Sequence, residues 1–373
     1  MVLKSEVIEK AKDLGFADIG FTTVEPFDSH KEILLSRKKE YRFLIMSLDL
    51  KKGFDPKNIF PDGKSIIVLI EAYHKEAFPP SMVGKFGRCY QDDDRITHRE
   101  FYNRVKVFRE FLSDNGINSR VPFNIPHRLT AVRAGLGTFG KNNFFYSRKA
   151  ARRSSWTIPI PIIVDQEFTP DEPTNEVGCP EWCKHSCIAS CPTGALISIR
   201  KLDPRKCISF LSYFGQGLTP KELREPMGMW VYGCDRCQNV CPRNSAWLAQ
   251  ELPMNQNVAA LKKDFELTNL LHMDKRYFKK KIWPHMFYTN DLWRWKMNVA
   301  RSMGNSLDPK YIPDLIKAFE ENDDERVNGM IAWALGRIGG SKAKTALEGF
   351  LNGINGNNDV VREEVLEALE IVK

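Results

Sequence analysis

Eight of the nine cysteines of this 373-residue chain lie between residues 179 and 241, in two groups of four. In each group the last cysteine follows the previous one after three residues and is itself followed by a proline. Such C-x3-C-P runs supply thiolate ligands to [4Fe–4S] clusters, and in proteins with two clusters the cysteine before the proline ligates the other cluster. The pattern therefore predicts two [4Fe–4S] clusters.

The crossover rule assigns all eight thiolates. The first cluster takes three cysteines of the first group and the last cysteine of the second, which are Cys179, Cys183, Cys187 and Cys241. The second cluster takes the other four, which are Cys191, Cys207, Cys234 and Cys237. The first group is spaced x3, x3, x3 instead of x2, x2, x3, so we expect Pro180 and Trp182 to lie in a wider loop than usual.

Zinc and disulfides are the alternatives for these cysteines. The pair Cys234 and Cys237 also suits a tetrahedral zinc site, but zinc gives no reason for a proline after both groups. Disulfides form in oxidising compartments, and the N-terminal sequence MVLKSEVIEK does not resemble a secretion signal. We therefore expect a cytoplasmic protein whose cysteines bind iron–sulfur clusters.

The composition is that of a globular protein with two or three domains. Hydrophobic residues make up 42% of the chain and charged residues 27%, which is enough for buried cores. The sequence contains no run of about 18 apolar residues, so we expect no membrane-spanning helix. Lys and Arg total 55 against 47 Asp and Glu, and the net charge of +8 modestly favours polyanionic partners.

The N-terminal part alternates helix and strand patterns and predicts an α/β domain. Residues 3–24 predict a helix that ends at Gly15, followed by a strand. The run SIIVLIEAY, Ser65 to Tyr73, predicts a strand buried on both faces. A second helix is predicted from a capping box formed by Thr97 and Glu100.

A glycine-rich segment, Ala131 to Ser147, follows. Gly135, Gly137 and Gly140 match G-x-G-x-x-G, but a dinucleotide site needs a strand before this motif and a helix after it. Here a helix-like segment precedes the motif and a strand-like segment follows it. The glycines therefore predict either the approach of the backbone to another bulky ligand or a tight turn with no ligand.

The next segment, Ser155 to Pro170, predicts a strand. Pro159 and Pro161 place this strand at a sheet edge or a bulge, because proline cannot donate a backbone hydrogen bond. The segment leads directly into the first group of cysteines. We therefore expect the glycine-rich segment and the clusters to be neighbours.

The C-terminal part contains an internal repeat. Its first copy recurs after 32 residues and in part after a further 34, as Val299, Met303, Gly304; Ile331, Leu335, Gly336; and Val365, Leu369. This period predicts HEAT-type helix pairs, with Ile312–Glu320 paired to Asp324–Ile338 and Ser341–Leu351 paired to Asp359–Val372. Such repeats either present a surface to a macromolecule or act as a purely structural cap.

Four parts of the chain together resemble the cobalamin-dependent epoxyqueuosine reductases, which reduce an epoxide on a modified tRNA base. They are AGLGTFGKN at Ala134–Asn142, C-x3-CPTGA at Cys187–Ala195 with CIS at Cys207, YGCDRCQNVCPRN at Tyr232–Asn244, and the helical repeats. The resemblance implies an α+β protein of three domains. They are a nitroreductase-like, cobalamin-binding α/β domain at 1–165, a ferredoxin-like two-cluster domain at 166–250, and HEAT-like helical repeats at 251–373.

The resemblance also implies cofactors and partners. Cobalamin would join the two [4Fe–4S] clusters, in a pocket lined by Gly137, Gly140, Lys141, Asn142, Ser155, Trp156 and Ser209. Electrons from a low-potential donor such as flavodoxin or ferredoxin would pass through the clusters to the cobalt. We expect a monomer that binds tRNA, and the basic runs Arg148–Arg153 and Lys275–Lys281 are our candidates for phosphate contacts.

The sequence departs from the family at the proton donor. The family carries an aspartate in a D-T-x-P-x-x-E-R segment ahead of the glycines, and Val121 stands at that position here. Asn124, His127 and Arg128 are the nearby polar residues. His127 is our candidate general acid, because histidine has an ordinary pKa near 6.5. The alternative is a structural or capping role for this histidine.

A second departure replaces the family's RDYH pattern with GRCYQDDDR at Gly87–Arg95. We expect Cys89, within this segment, to be a buried free thiol. The departures leave three functions open. They are an epoxyqueuosine reductase with a relocated proton donor, a related corrinoid iron–sulfur reductase of another small substrate, such as a reductive dehalogenase, and an iron–sulfur electron-transfer protein.

Overall fold

A computed structural model of the chain describes residues 2–92, 97–174, 178–285, 291–353 and 359–372. The chain divides into two compact units, each made of three segments. Unit one comprises Met1–Lys75, His98–Pro204 and Arg236–Glu251. Unit two comprises Glu76–Thr97, Arg205–Asp235 and Leu252–Lys373.

The described helices are numbered in chain order. They are α1 Lys4–Asp13, α2 Asp28–Ser36, α3 Lys38–Ser47, α4 Glu100–Asp114, α5 His127–Arg133, α6 Ser186–Ala189, α7 Ile208–Phe214, α8 Lys221–Arg224, α9 Arg236–Asn239, α10 Pro242–Leu248, α11 Gln256–Ala260, α12 Leu267–His272, α13 Lys275–Tyr277, α14 Leu292–Ser306, α15 Ile312–Glu321, α16 Glu325–Ile338, α17 Ser341–Gly353 and α18 Asp359–Ile371. A π-helical turn, Phe278–Ile282, continues from α13.

The described strands all belong to unit one. They are β1 Asp18–Thr23, β2 Ser65–Ala72, β3 Ser119–Arg120, β4 Gly137–Phe139, β5 Phe145–Ser147, β6 Thr157–Val164, β7 Leu196–Ser198 and β8 Lys201–Leu202. Four of them form an antiparallel sheet in the order β1-β2-β6-β3, in which Val68 pairs with Gly20 on one side and Pro161 on the other. The other four form the hairpins β4–β5 and β7–β8.

Strand β2 lies at the centre of unit one, and every one of its residues is buried. Because successive side chains point to opposite faces, Ile67 and Leu69 enter one core, with apolar residues of α1 and α4. Ile66 and Val68 enter a second core, with apolar residues of α5 and the β4–β5 hairpin. The prediction of a strand buried on both faces is confirmed.

The ends of the N-terminal helices test the capping predictions. Gly15 follows α1 with φ +76°, a conformation that glycine adopts without strain, and the predicted stop is confirmed. The capping box of Thr97 and Glu100 is wrong, because α4 begins at Glu100 with Arg99 as its N-cap. His98 has φ +51°, so the backbone is left-handed at the position where the predicted helix would begin.

The two prolines of β6 are placed as predicted. Along its full length β6 pairs with β2, whereas β3 pairs only with Ile163 and Val164. Among the described strands, the side of β6 away from β2 is therefore open at Pro159 and Pro161. The missing N–H groups of these prolines fit this edge position.

Unit two contains the repeated helices. Helices α15 and α16 form one pair and α17 and α18 the next, with ends within about two residues of the predicted ones. The repeated glycines let helices approach closely, because a Cβ on Gly304 would lie 2.8 Å from Ala334 Cα and one on Gly336 would lie 2.8 Å from Ala368 Cα. The predicted helical repeat and the α+β architecture are confirmed.

No helix within the described ranges combines the length and the apolar character needed to cross a membrane.

Candidate functional site

The four cysteines predicted to hold the first cluster all lie in unit one. Cys179 and Cys183 occupy the loop before α6, Cys187 lies within α6, and Cys241 is the N-cap residue of α10. Burial raises the pKa of Cys187 to about 11, and three neighbouring thiols contribute to this rise, those of Cys241, Cys183 and Cys179. The fold therefore brings together the thiols that the crossover rule assigns to one cluster.

Local structure explains the unusual spacing and the prolines. The Cys183 N–H donates a hydrogen bond to the Pro180 oxygen at 3.0 Å, and Trp182 in the same turn is exposed. Pro180 and Trp182 thus lie in a turn between the first two cysteines. Pro242 is the first residue of α10, where its missing N–H would have no helical partner.

The glycine-rich segment lies beside these cysteines, as predicted. The Lys141 N–H donates to Cys179 Sγ at 3.3 Å, and Lys141 Nζ donates to the Cys183 oxygen at 2.9 Å. Asn142 is buried, and its Nδ2 donates to Tyr146 Oη at 3.0 Å and to the Cys237 oxygen at 3.2 Å. Two predicted cofactor-binding residues therefore contact cysteine residues directly.

The predicted glycines are needed for packing inside the hairpin. A Cβ on Gly137 would lie 2.1 Å from the Tyr146 oxygen, and one on Gly140 would lie 2.3 Å from the Tyr146 ring. The motif follows the end of α5 at Arg133 and precedes β5, so the expected helix-before and strand-after order is confirmed. These contacts account for both glycines without a dinucleotide.

Tyr146 and Arg243 also contact these cysteines or their neighbours, although no motif in the sequence marks either residue. Tyr146 is 1% exposed, and its hydroxyl donates to Cys241 Sγ at 3.0 Å. Burial and then the Cys241 thiol raise the pKa of Tyr146 well above its usual value, so the phenol stays protonated. The Arg243 guanidinium lies 4.4 Å from the Tyr146 ring centroid, and Nη1 donates to the Gly178 oxygen at 2.6 Å.

Other predicted cofactor residues have protein partners. Ser155 is buried, and its hydroxyl donates to Gln238 Oε1 at 2.9 Å while its N–H donates to Asn244 Oδ1 at 3.0 Å. Trp156 is fully buried in unit one. Ser209 lies in α7 of unit two, where its hydroxyl is 2.9 Å from Tyr90 Oη.

His127 is the first residue of α5, and its Nε2 lies 2.9 Å from the Pro122 oxygen. A carbonyl only accepts hydrogen bonds, so Nε2 carries a proton in this contact. Val121 is 44% exposed, and the Asn124 side chain donates to the Leu48 oxygen at 2.7 Å. Arg128 Nη1 donates to the Asn143 oxygen at 3.1 Å, which links α5 to the hairpin turn.

The other predicted cluster ligands are divided between the units. Cys191 and Cys237 lie in unit one, whereas Cys207, the N-cap residue of α7, and Cys234 lie in unit two. None of the nine cysteines, all of which lie in the described ranges, forms a disulfide, so the disulfide alternative is not supported. In the part of the chain that the structure describes, no three His, Cys, Asp or Glu side chains surround a single metal-ion position.

The segment Gly87–Arg95 is described as far as Asp92, and Asp93, Asp94 and Arg95 lie outside the described residues. Arg88 forms an ion pair with the buried Asp235 at 3.0 Å, within unit two. Cys89 is half-buried, so the expected burial is only partial. It lies in the short helical turn Arg88–Tyr90.

Some side chains of the two basic runs have partners in the fold, and others are exposed. Arg148 and Lys149 both bind the buried Asp18 carboxylate, at 2.8 Å and 2.9 Å, so they have structural partners. Arg152 and Arg153 are exposed and have φ of +54° and +62°, which is unusual for residues other than glycine. In the second run, Lys275, Arg276, Lys279 and Lys280 are exposed.

Two family models match parts of the chain. Residues 179–244 match the 4Fe-4S double cluster binding domain, and residues 290–370 match HEAT repeats. The first match covers all eight predicted ligands and favours iron–sulfur clusters over zinc.

Several proteins that match nearly the whole chain are epoxyqueuosine reductases. An epoxyqueuosine reductase of Bacillus cereus is 32% identical over 93% of this chain and 92% of its own, and one of Bacillus subtilis is 29% identical over 100% and 96%. A solved structure of the Bacillus subtilis enzyme, with its catalytic loop swung out of the active site, matches with a TM-score of 0.84, 28% identity and 99% of both chains. An epoxyqueuosine reductase with an epoxyqueuosine-modified tRNA-Tyr stem loop matches with a TM-score of 0.85, 26% identity and 99% and 98% of the two chains.

Proposed function

The chain belongs to the epoxyqueuosine reductase family and is an oxidoreductase with 4Fe-4S clusters, and on this premise we propose that it reduces epoxyqueuosine to queuosine in tRNA. The observation that carries the proposal is that the β4–β5 hairpin hydrogen-bonds to Cys179, Cys183 and Cys241, three proposed ligands of one cluster. A cluster in this position suits the transfer of electrons to a substrate site better than a purely structural role.

The reaction must balance in electrons and protons. Removing the epoxide oxygen as water breaks two C–O bonds, forms a C=C bond, and consumes two electrons and two protons. A low-potential protein donor such as flavodoxin or ferredoxin would supply the electrons, and each [4Fe–4S] cluster can hold one at a time. Cys179, Cys183, Cys187 and Cys241 would hold the first cluster. Cys191, Cys207, Cys234 and Cys237 would hold the second.

Cobalamin is the further cofactor that membership of the family suggests. When bound, it would supply the organometallic chemistry of the reduction. The segment Gly137–Asn142 fits a place next to it, because Lys141 and Asn142 contact the cysteine residues through which electrons arrive. The side chains of Asn142 and Ser155 already have protein partners, so they would support such a pocket rather than bind the corrinoid through free polar groups.

His127 is the proposed proton donor. Val121 has no ionisable group, and its segment leads into α5, whose first residue is His127. A histidine can deliver a proton near neutral pH and be reprotonated from water. The contact with the Pro122 oxygen would fix the ring while Nδ1 serves as the proton-transfer atom.

We place the tRNA contacts at Arg152 and Arg153 and at Lys279 and Lys280. All four side chains are exposed, and a related enzyme has been solved with a tRNA stem loop. Phosphates attract such cations without regard to base sequence. We retain the domain limits 1–165, 166–250 and 251–373 and a monomeric state as parts of the same proposal.

The test is turnover by anaerobically prepared protein that has been supplied with cobalamin and a chemical reductant. A tRNA stem loop containing epoxyqueuosine should lose the mass of one oxygen atom, and omission of cobalamin should abolish this loss. A protein that holds both clusters and cobalamin but leaves the stem loop unchanged would exclude this substrate. A smaller substrate would then explain why Val121 replaces the aspartate.

A further inference from the structure

Tyr146 makes a specific contact with a proposed cluster ligand. Its side chain projects from β5, is 1% exposed, and places Oη 3.0 Å from Cys241 Sγ. A phenol has a single O–H, which it can donate to one acceptor. Because this side chain is buried, the β4–β5 hairpin fixes its position.

The surrounding amide fixes the direction of that hydrogen bond. The Phe144 N–H donates to Asn142 Oδ1 at 3.2 Å, which identifies Nδ2 as the donor on the other side of the amide. Asn142 Nδ2 then donates to Tyr146 Oη at 3.0 Å. Because the phenol oxygen already accepts this bond, its own proton is directed to the sulfur of Cys241.

Arg243 holds the ring of Tyr146 in place. Its guanidinium lies 4.4 Å from the ring centroid and donates to the Gly178 oxygen at 2.6 Å and to Thr138 Oγ1 at 3.3 Å. Gly178 has no room for a side chain, since a Cβ would lie 2.0 Å from Thr138 Oγ1. The ring, the cation and the sulfur therefore form one fixed arrangement within unit one.

We propose that Tyr146 sets the reduction potential of the first cluster by donating its hydroxyl hydrogen bond to the Cys241 thiolate. This inference rests on the proposed ligation of that cluster by Cys241. When the cluster gains one electron from the low-potential donor, negative charge increases on its sulfur ligands and no covalent bond changes. A hydrogen bond to sulfur stabilises the reduced form more than the oxidised form and so raises the potential.

The direct test is Tyr146→Phe, which keeps the ring and removes only the hydroxyl. The one-electron equilibrium should shift about tenfold towards the oxidised cluster, which is ~59 mV to lower potential. The matched control is Tyr41→Phe, which removes a phenol that donates to the Leu202 oxygen and leaves the sulfur contacts intact. The potential of the first cluster, measured by redox titration with electron paramagnetic resonance, should not move in the control.

A second measurement reports the hydrogen bond itself. Electron–nuclear double resonance of the reduced first cluster should show an exchangeable proton coupling that is present in the unaltered protein and lost in Tyr146→Phe. Incorporation of 3-fluorotyrosine at position 146 should raise the potential, because a more acidic phenol is a stronger donor. If Tyr146 had a purely structural role, Tyr146→Phe would not remove a proton coupling. Incorporation of 3-fluorotyrosine would then not raise the potential.

Iron and sulfide are measured first, because their content distinguishes a failure of the proposed function from a failure of this inference. If the unaltered protein binds no cluster, both the proposed function and this inference are wrong. If the clusters are intact and Tyr146→Phe leaves the potential and the proton coupling unchanged, only the inference is wrong. Should Tyr146→Phe fail to hold iron, the 3-fluorotyrosine protein decides, and an unchanged or lowered potential there would contradict the inference.

Discussion

Buried polar groups serve different purposes in the two units. In unit one, Lys141 and Tyr146 each donate a hydrogen bond to a cysteine sulfur. In unit two, Arg224 and Glu364 form a buried pair with two hydrogen bonds, at 2.6 Å and 2.7 Å, that joins α8 to the last repeated helix. The Lys141 and Tyr146 contacts thus reach proposed cluster ligands, whereas the Arg224–Glu364 pair joins helices.

This contrast predicts that variants of the two units fail in different ways. Changes near the cysteines of unit one should alter chemistry or binding and leave the fold intact. Changes among the helices of unit two should lower the free energy of unfolding and leave the chemistry of the remaining folded molecules intact.

The largest effect is expected for His127→Gln. A glutamine amide can keep the hydrogen bond to the Pro122 oxygen but cannot deliver a proton, so turnover should fall about 10²–10⁴-fold. The pH profile of turnover should also lose the fall towards high pH that deprotonation of a histidine general acid causes. Iron content and the melting temperature serve as controls and should match those of the unaltered protein. A variant with unchanged turnover would assign His127 the structural role.

The next effect is on stability, in Glu364→Gln. Removing one charge of a buried pair leaves the Arg224 guanidinium without its anion, which costs about 3–5 kcal/mol. The double variant Arg224→Met with Glu364→Leu should regain most of the loss. Denaturant unfolding measures both, and equal stability of Glu364→Gln and the unaltered protein would show that this pair does not hold the helices together.

A smaller loss is expected for Gly336→Ala. The new Cβ would lie 2.7 Å from Ala368 Cβ, and the helices must move apart at a cost of about 1–3 kcal/mol. Gly349→Ala is the matched control in α17, because nothing lies within 4 Å of its Cβ position. The control should gain about 0.5–1 kcal/mol from helix propensity. The same sign in both variants would contradict the close packing of the repeats.

The repeated helices of unit two are a part of the fold that the sequence predicts well. Their apolar period is local, and their ends were therefore placed within about two residues. The eight cysteines were also recognisable, because their spacing is itself the signal. The start of α4 was missed because the left-handed backbone at His98 depends on surrounding structure and not on the Thr97 and Glu100 pattern.

Tyr146 and Arg243 could not be selected from the sequence for a similar reason. Tyr146 reaches Cys241 only because the hairpin pairs Thr138 with Tyr146 and folds against a cysteine far along the chain. A tyrosine in the apolar run FFYS and an arginine directly after Cys241 and Pro242 were the available signals. Neither signal distinguishes a sulfur contact from an ordinary core position.

The smallest effect is expected for the double variant Arg152→Ala with Arg153→Ala. Loss of two phosphate contacts should weaken tRNA binding and reduce the slope of log affinity against log salt by about two. Lys51→Ala with Lys52→Ala removes the same charge from another exposed pair of unit one and should leave the slope unchanged. If both double variants showed equal slopes, the tRNA contacts would not lie at Arg152 and Arg153.

The site in unit one depends most on Cys241 sharing a cluster with Cys179, and iron analysis of three variants tests this directly. Cys179→Ser and Cys241→Ser should each retain about four of the eight irons expected for two [4Fe–4S] clusters. If both cysteines ligate the same cluster, the double variant should also retain about four. A double variant with almost no iron would place the two cysteines in different clusters, and the proposed site would be wrong.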